Sequence, residues 1–206
     1  MKQGTDEWFT ARLGKATASR IADILAKTKT GESAARANYR AELVAERLTG
    51  KQQDGFTTKQ MQWGTDSEPL ARAAYEAETG NLVTETGLVD HPSIDMAGAS
   101  PDGLVGADGQ IECKCPYTKT HIETLLANAV PSQYMPQIQW QLACTGRAWC
   151  DFVSFDPRMP IEQQLFIKRV PRDEAYITET LEPEVKKFLA EVDEYMKKLT
   201  NWRKAA

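Results

Sequence analysis

Between Ser100 and Lys114 the chain reads Ser-Pro-Asp-Gly-Leu-Val-Gly-Ala-Asp-Gly-Gln-Ile-Glu-Cys-Lys. Pro-Asp-Gly is turn chemistry: proline presets φ, aspartate bonds to nearby backbone, and glycine tolerates conformations closed to other residues. A hairpin then returns the chain, and Glu-Cys-Lys follows in a strand. Side chains alternate faces along a strand, so Glu112 and Lys114 share one face while Cys113 and Cys115 take the other. With Asp102 approaching the Glu112 face, two hard oxygen ligands meet beside an ammonium. Such a set holds Mg²⁺ and activates water at a phosphodiester. Each part alone has a plainer reading. Pro-Asp-Gly serves as a simple turn, and Glu-x-Lys as a solvated face with an exposed ion pair. The combination is rarer, because Glu-x-Lys is here flanked by apolar Ile111, Cys113 and Cys115, and it points to a metal-dependent nuclease centre.

At 206 residues the chain reads as one soluble domain, 1–206, long enough to bury a substantial core. No apolar run approaches the roughly 20 residues of a membrane span, and the N-terminus lacks a signal peptide, so an intracellular protein with no membrane association is expected. Cysteines 113, 115, 144 and 150 lack the paired spacing of a zinc site. They read as small buried residues rather than iron–sulfur ligands. Net charge is −4, but it is unevenly spread: residues 1–60 hold 11 Lys/Arg against 7 Asp/Glu, and the remainder 14 against 22. A basic first third and an acidic remainder suit a protein that grips a phosphate backbone on one surface only.

Apolar spacing predicts helices over Thr17–Lys27 (capped by Thr17 or Ser19), Ala34–Leu48 and Asp66–Thr79, the last with Pro69 near its first turn. Lys51–Thr58 reads as a loop. Leu82–Val89, Met96–Ala99 and Gln110–Cys115 read as strands between Gly, Asp and Pro punctuation. Helices over Lys119–Ala129 and Ser132–Cys144, strands over Trp149–Phe155 and Leu165–Val170, and a long helix over Asp173–Leu199, bent near Pro183, complete the chain. This order describes a mixed sheet with helices packed on it.

Several separated motifs occur in one order. They are Gln3-Gly4-Thr5-Asp6-Glu7-Trp8, Arg12-Leu13-Gly14-Lys15-Ala16-Thr17-Ala18-Ser19, Trp63-Gly64 leading to Glu68, and Ser100-Pro101-Asp102-Gly103. Glu112-Cys113-Lys114-Cys115-Pro116, Tyr134-Met135-Pro136-Gln137-Ile138-Gln139 and Asp156-Pro157-Arg158-Met159 follow. Over residues 3 to 200 the chain resembles the phage lambda exonuclease family, the YqaJ-like viral recombinases of the PD-(D/E)xK nuclease superfamily.

That resemblance implies an α/β chain of α+β type, with a restriction-endonuclease-like mixed central β-sheet flanked by α-helices. It implies Asp102, Glu112 and the Cys113 carbonyl as Mg²⁺ ligands, with Glu68 holding a second ion through water; Mn²⁺ substitutes. Two such ions about 4 Å apart would stabilise the attacking and departing oxygens. Glu68 also reads as an ordinary carboxylate at a helix start. Lys114 would orient or deprotonate the water, with a pKa lowered beside the dication, and Gln137 would place this lysine and the phosphate. Arg12 and Ser19 resemble the pocket for a terminal 5′-phosphate; otherwise Ser19 caps its helix and Arg12 pairs with Asp6 or Glu7. Met61 aligns with a wedge that separates the DNA strands, and Trp8 contacts a base or simply packs. Gln141 stands where the superfamily often carries a tyrosine four residues after Gln137, which leaves that position without an assigned role.

The implied activity is processive 5′→3′ digestion of one strand of duplex DNA from its ends. It releases 5′-mononucleotides and leaves 3′ single-stranded tails for phage-type homologous recombination. A homotrimeric ring, a single-strand annealing protein as partner, and a phage- or prophage-encoded origin in the bacterial cytoplasm belong to the same resemblance. The alternatives are a non-catalytic adaptor bound to DNA ends and a related nuclease of different polarity.

Overall fold

The structure is a computed structural model that describes residues 1–29, 31–53 and 58–202. The chain opens with helix α1 (Asp6–Arg12), which the apolar pattern does not announce because none of its residues is buried. Its signals are polar: Thr5 accepts from the Trp8 amide at its start, and Asp6 and Glu7 occupy the positive end of the helix dipole. Next come β1 (Ala16–Thr17), a 3₁₀ turn at Ala18–Arg20 and α2 (Ile21–Leu25), where one helix over 17–27 was expected. Tertiary pairing overrides the helical pattern here. Ala16 and Thr17 run parallel to Ala97 and Gly98, and the Thr17 amide donates to the Tyr39 hydroxyl at 3.0 Å. Neither Thr17 nor Ser19 makes a side-chain capping bond.

A small β2–β3 ribbon (Lys27–Thr28 with Gly31–Glu32) leads into α3 (Ala34–Thr49) and then α4 (Lys59–Thr79). Residues 54–57 of the expected 51–58 loop lie outside the described residues. Helix α4 starts seven residues before the expected Asp66, capped by Thr58, whose hydroxyl accepts from the Met61 amide at 3.1 Å. Pro69 is therefore inside the helix rather than in its first turn. Proline removes one backbone bond there, and burial of Ala71 and Tyr75 further along holds the helix to the sheet. The expected strand over 82–89 is divided: β4 (Val83–Thr84) joins one sheet and β5 (Val89–Asp90) another, with β6 (Ala97–Ala99) beside it. At Gly87 between them a Cβ would fall 2.5 Å from the Met1 carbonyl, so the chain passes under the N-terminus there.

The larger sheet has the order β10–β9–β8–β7–β4, built from β7 (Gly103–Val105), β8 (Gly109–Lys114), β9 (Trp149–Phe155) and β10 (Leu165–Pro171) with β4. β7 and β8 form the anticipated hairpin, with Gly103 opposite Ile111. β8 and β9 are parallel, and a parallel pair needs a long crossover. That crossover carries α5 (Thr118–Ala127) and α6 (Met135–Thr145). After β10, the three-residue helix α7 (Glu174–Tyr176) passes through a π turn at Ile177–Leu181 into α8 (Glu182–Asn201), with Pro183 in its first turn. The single helix expected over 173–199 is thus interrupted at the π turn, before Pro183.

Alternation sorts the two faces of the sheet cleanly. Ile111, Cys113, Val153 and Phe155 pack on the α4 side with Ala71 and Tyr75, whereas Cys150, Phe152, Phe166 and Val170 pack with Ile138 and Leu142 of α6. The opposite side of α6, through Trp140, Ala143 and Cys144, enters a third cluster with α2, α3 and α8. All four cysteines are buried and free.

One close approach governs the sheet next to the site. A Cβ on Gly109 would sit 2.1 Å from the Trp149 ring, and the Arg169 guanidinium covers that ring 3.5 Å from its centroid. The ring cannot yield without breaking that stack. Gly109→Ala should therefore cost about 1–3 kcal/mol, read as a lower midpoint in urea unfolding at unchanged slope.

Candidate active site

Glu112 lies in the middle of the sheet with 1% of its surface exposed. A buried carboxylate demands donors, and α6 supplies them from residues one turn apart. Gln137 Nε2 donates to Oε1 at 2.5 Å, and Gln141 Nε2 donates to Oε2 at 2.5 Å. Residues four apart on a helix share a face, so α6 presents both amides to the sheet together. Lys114, two residues along the same strand face, reaches Glu112 Oε1 at 2.5 Å and donates to Gln137 Oε1 at 3.2 Å. Its ammonium also lies 5.2 Å from the Tyr134 ring centroid, a ring stacked on Phe152 behind it.

Asp102 leaves its turn toward the end of β8, where Oδ2 accepts from the Cys113 amide at 2.7 Å. Glu68 reaches the same region from α4 and is ion-paired to Arg72, which also pairs with Glu85 at 3.0 Å. Burial first, then the charges of Glu112 and Glu68, push the Asp102 carboxyl well above the usual carboxylate range. Burial likewise raises Glu68, opposed by Arg72 and aided by Glu112. Like charges so crowded favour either protons or a cation among them. Among the described residues no three His, Cys, Asp or Glu groups are already gathered tightly enough to hold an ion alone. Asp102, Glu112 and Glu68 are the carboxylates lining this end of the cleft that could offer oxygens to a hard dication.

Burial lowers the Lys114 pKa, but the bare carboxylates of Glu112 and Asp102 outweigh burial and raise it above the usual lysine value; a dication bound between them would act in the opposite direction.

A second group of residues comes from α1. The Arg12 guanidinium stacks over Trp8, 4.2 Å from its centroid, and donates to Ser100 Oγ at 3.4 Å and Thr17 Oγ1 at 3.3 Å. It pairs with neither Asp6 nor Glu7, and burial lowers its pKa. Trp8 Nε1 donates to the same Ser100 hydroxyl at 2.9 Å, and Gln3 Nε2 donates to the Pro101 carbonyl at 2.8 Å. The N-terminal segment is thereby bonded to the two residues preceding Asp102. Ser19 is exposed and turns toward the same space.

All of these groups line one cleft of about 550 Å³: Trp8, Arg12, Ser19, Met61, Glu68, Asp102, Glu112, Cys113, Lys114 and Gln137 are all in its wall. Met61, on the first turn of α4 and 59% exposed, stands at its rim. Four further residues belong here that sequence reasoning did not assign. Gln141 holds Glu112, Tyr134 flanks Lys114, Ser100 joins Arg12 to Trp8, and Gln60 donates to the Cys115 carbonyl at 2.9 Å. For Gln141 the signal was available in its spacing from Gln137, and Ser100 and Tyr134 open two of the motifs quoted above; Gln60 has no local signature. The Asp-Pro-Arg motif is structural. Asp156 accepts from Thr118 Oγ1 at 2.6 Å and pairs with Arg158, which donates to the Pro116 carbonyl and covers Trp63. His121 is bound by Ser154 and the Gln163 carbonyl, and His91 stacks on Trp140, both outside the cleft.

Carboxylates and a lysine gathered at the end of a mixed sheet, with helices on both faces, are the layout of a nuclease family. Residues 7–148 match the YqaJ-like viral recombinase domain, and the chain belongs to that family, the family of phage lambda exonuclease. The alkaline exonuclease LHK-Exo from Laribacter hongkongensis is 54% identical, with a TM-score of 0.89 over 98% of both chains. The same exonuclease in complex with dAMP is 53% identical, with a TM-score of 0.91 over 98% of this chain and 100% of that one. A phage-related exonuclease from Haemophilus somnus shares the fold at 16% identity, with a TM-score of 0.68 over 92% of this chain and 96% of that one. Among curated proteins none matches the chain.

The crowding of carboxylates has a measurable consequence for stability. Because the folded-state pKa of Asp102 is raised, its ionised form opposes folding, and that penalty grows as pH rises above the unfolded value near 4. With divalent ions chelated, Asp102→Asn should raise the melting temperature at pH 7. Melting curves should show that gain shrinking as pH falls toward 4.

Proposed function

We propose that this protein is an Mg²⁺-dependent, processive 5′→3′ exonuclease that digests one strand of duplex DNA from an end. The observation that carries this reading is the sharing of one cleft by two kinds of group: the Asp102, Glu112 and Lys114 cluster, and an arginine, Arg12, to which no carboxylate is paired among the described residues. Asp102, Glu112 and the Cys113 carbonyl would hold the metal, with Glu68 beside them, and Mn²⁺ would substitute for Mg²⁺. When bound, the ion supplies Lewis-acid activation of water and of the scissile phosphate.

The protein groups do the remaining work. Lys114 would orient or deprotonate the attacking water and offset the charge that builds on the phosphate. Gln137 fixes that lysine by accepting from it, while its amide holds Glu112. Arg12 and Ser19 would receive the terminal 5′-phosphate, a fork and a hydroxyl suited to that anion. Trp8 keeps the guanidinium plane in place, and exposed Met61 at the rim would wedge between the strands. The release of 5′-mononucleotides agrees with the deoxynucleoside monophosphate bound by LHK-Exo.

A homotrimeric ring enclosing the duplex would explain processivity in a chain of net charge −4, because topology replaces electrostatic grip. The 3′-tailed product would pass to a single-strand annealing protein for phage-type recombination in the bacterial cytoplasm. No helix among the described residues is long and apolar enough to cross a membrane.

Duplexes labelled at either end and incubated with Mg²⁺ should lose label from the 5′ end as mononucleotides, and chelation should stop the reaction. Loss from the 3′ end, or oligonucleotide products, would refute the polarity. Asp102→Ala, Glu112→Ala and Lys114→Ala should each abolish cleavage while gel-shift binding of DNA persists. Arg12→Ala should slow digestion of 5′-phosphorylated ends by about 10- to 100-fold, the value of a charge-assisted contact, and should erase the preference over 5′-hydroxyl ends.

A further inference from the structure

Behind Glu112 runs a chain of buried amides that the reaction groups do not explain. Thr145 Oγ1 donates to Gln110 Oε1 at 2.8 Å, Gln110 Nε2 donates to Gln141 Oε1 at 3.3 Å, and Gln141 Nε2 donates to Glu112 Oε2 at 2.5 Å. Gln110 and Gln141 are both fully buried. We infer that Gln141, itself oriented by Gln110, is a positioning residue that sets the direction in which Glu112 offers its carboxylate to the catalytic cation. This rests on the reading of Glu112 as a metal ligand.

Three observations carry it. First, the two oxygens of Glu112 are served unequally. Oε1 receives both Gln137 and Lys114, whereas Oε2 has Gln141 as its protein donor. A carboxylate rotates easily about its last bond, so the Oε2 contact decides how its plane is turned. Second, the amide of Gln141 has only one workable orientation. Reversed, its carbonyl would face a carboxylate and its NH₂ would face the NH₂ of Gln110. The Glu112 carboxylate, which can only accept, sets the polarity of the whole series, and the Thr145 hydroxyl closes it by donating to Gln110 Oε1. Third, burying two amides between α6 and the sheet costs desolvation that aliphatic side chains of the same volume would avoid. The surrounding contact is already apolar through Ile138, Leu142 and Cys150. Packing alone therefore gives no reason for glutamine at 110 and 141, whereas a carboxylate that must be aimed does.

Partners that orient a metal ligand typically change metal affinity 10- to 100-fold when removed. Gln141→Met keeps the length and volume and deletes the donor. By isothermal titration calorimetry without DNA, it should bind Mn²⁺ at least about 10-fold more weakly than the wild type. Its digestion rate should recover at high Mg²⁺, because the loss is in affinity rather than in the chemical groups. Gln110→Met should weaken binding in the same direction by a smaller factor, and should add nothing in the Gln141→Met background, as expected for residues acting in series. Unchanged Mn²⁺ affinity in a folded Gln141→Met protein would overturn the inference, as would fully additive effects of the two substitutions. If Gln141→Met does not fold, Gln141→Asn, one methylene short, gives the same reading: weaker binding supports the inference and unchanged binding overturns it. A wild-type protein that binds no Mn²⁺ would instead remove Glu112 as a ligand, and this inference with it. Wild-type binding that Glu112→Gln abolishes and Gln141→Met leaves untouched would sink the positioning role alone.

Discussion

A carboxylate buried in the middle of a β-sheet is expensive unless every oxygen finds a donor, and the fold around Glu112 is arranged to meet that demand. Helix α6 must lie across the sheet with Gln137 and Gln141 facing down, and those residues are one turn apart as the contact requires. The parallel pairing of β8 with β9 makes the crossover long enough to deliver that helix. Its apolar residues then fill the space on both sides, toward the sheet and toward the helical half of the molecule. The helix that completes the core is thus also the helix that prepares the acid.

The other half of the cleft is assembled by a different route. Segment 3–12 buries none of its α1 residues, and it is held in place by polar bonds. Gln3, Trp8 and Arg12 all fasten to Ser100 or Pro101, the residues that precede Asp102. The arginine proposed to read the end of the strand and the aspartate proposed to hold the ion therefore meet on a single turn. Asp102 in turn bonds the backbone of β8 through the Cys113 amide. Movement at either group would be felt at the other through one rigid dipeptide.

Clustering Asp102, Glu112 and Glu68 around the end of the sheet opposes folding, as burial and mutual repulsion raise Asp102 and Glu68. Stability comes from elsewhere: the two faces of the sheet, the Trp140 cluster, and ion pairs such as Arg40 with Glu32 and Glu191 between α3, the β2–β3 ribbon and α8. An active site that is locally unfavourable and globally supported is the usual consequence of selecting for chemistry.

Local rules made much of this legible. Strand alternation placed Glu112 and Lys114 on one face and sent Cys113 and Cys115 to the other, and turn chemistry set Asp102 just before the hairpin, because both effects act within a few residues. The helices expected over 34–48, 119–129 and 132–144 formed as α3, α5 and α6 with bounds shifted by only a few residues. The helical period missed α1, which has no apolar face, and the polar first turns of α4. It also started a helix at Thr17, which instead pairs with a strand some eighty residues away. By itself the sequence determined the chemistry available and the spacing of each local set. Tertiary structure decided which sets share a cleft, which glutamine holds Glu112, and that Arg12 stands beside Ser100 rather than an acid, because those contacts join residues remote along the chain and no local preference encodes them.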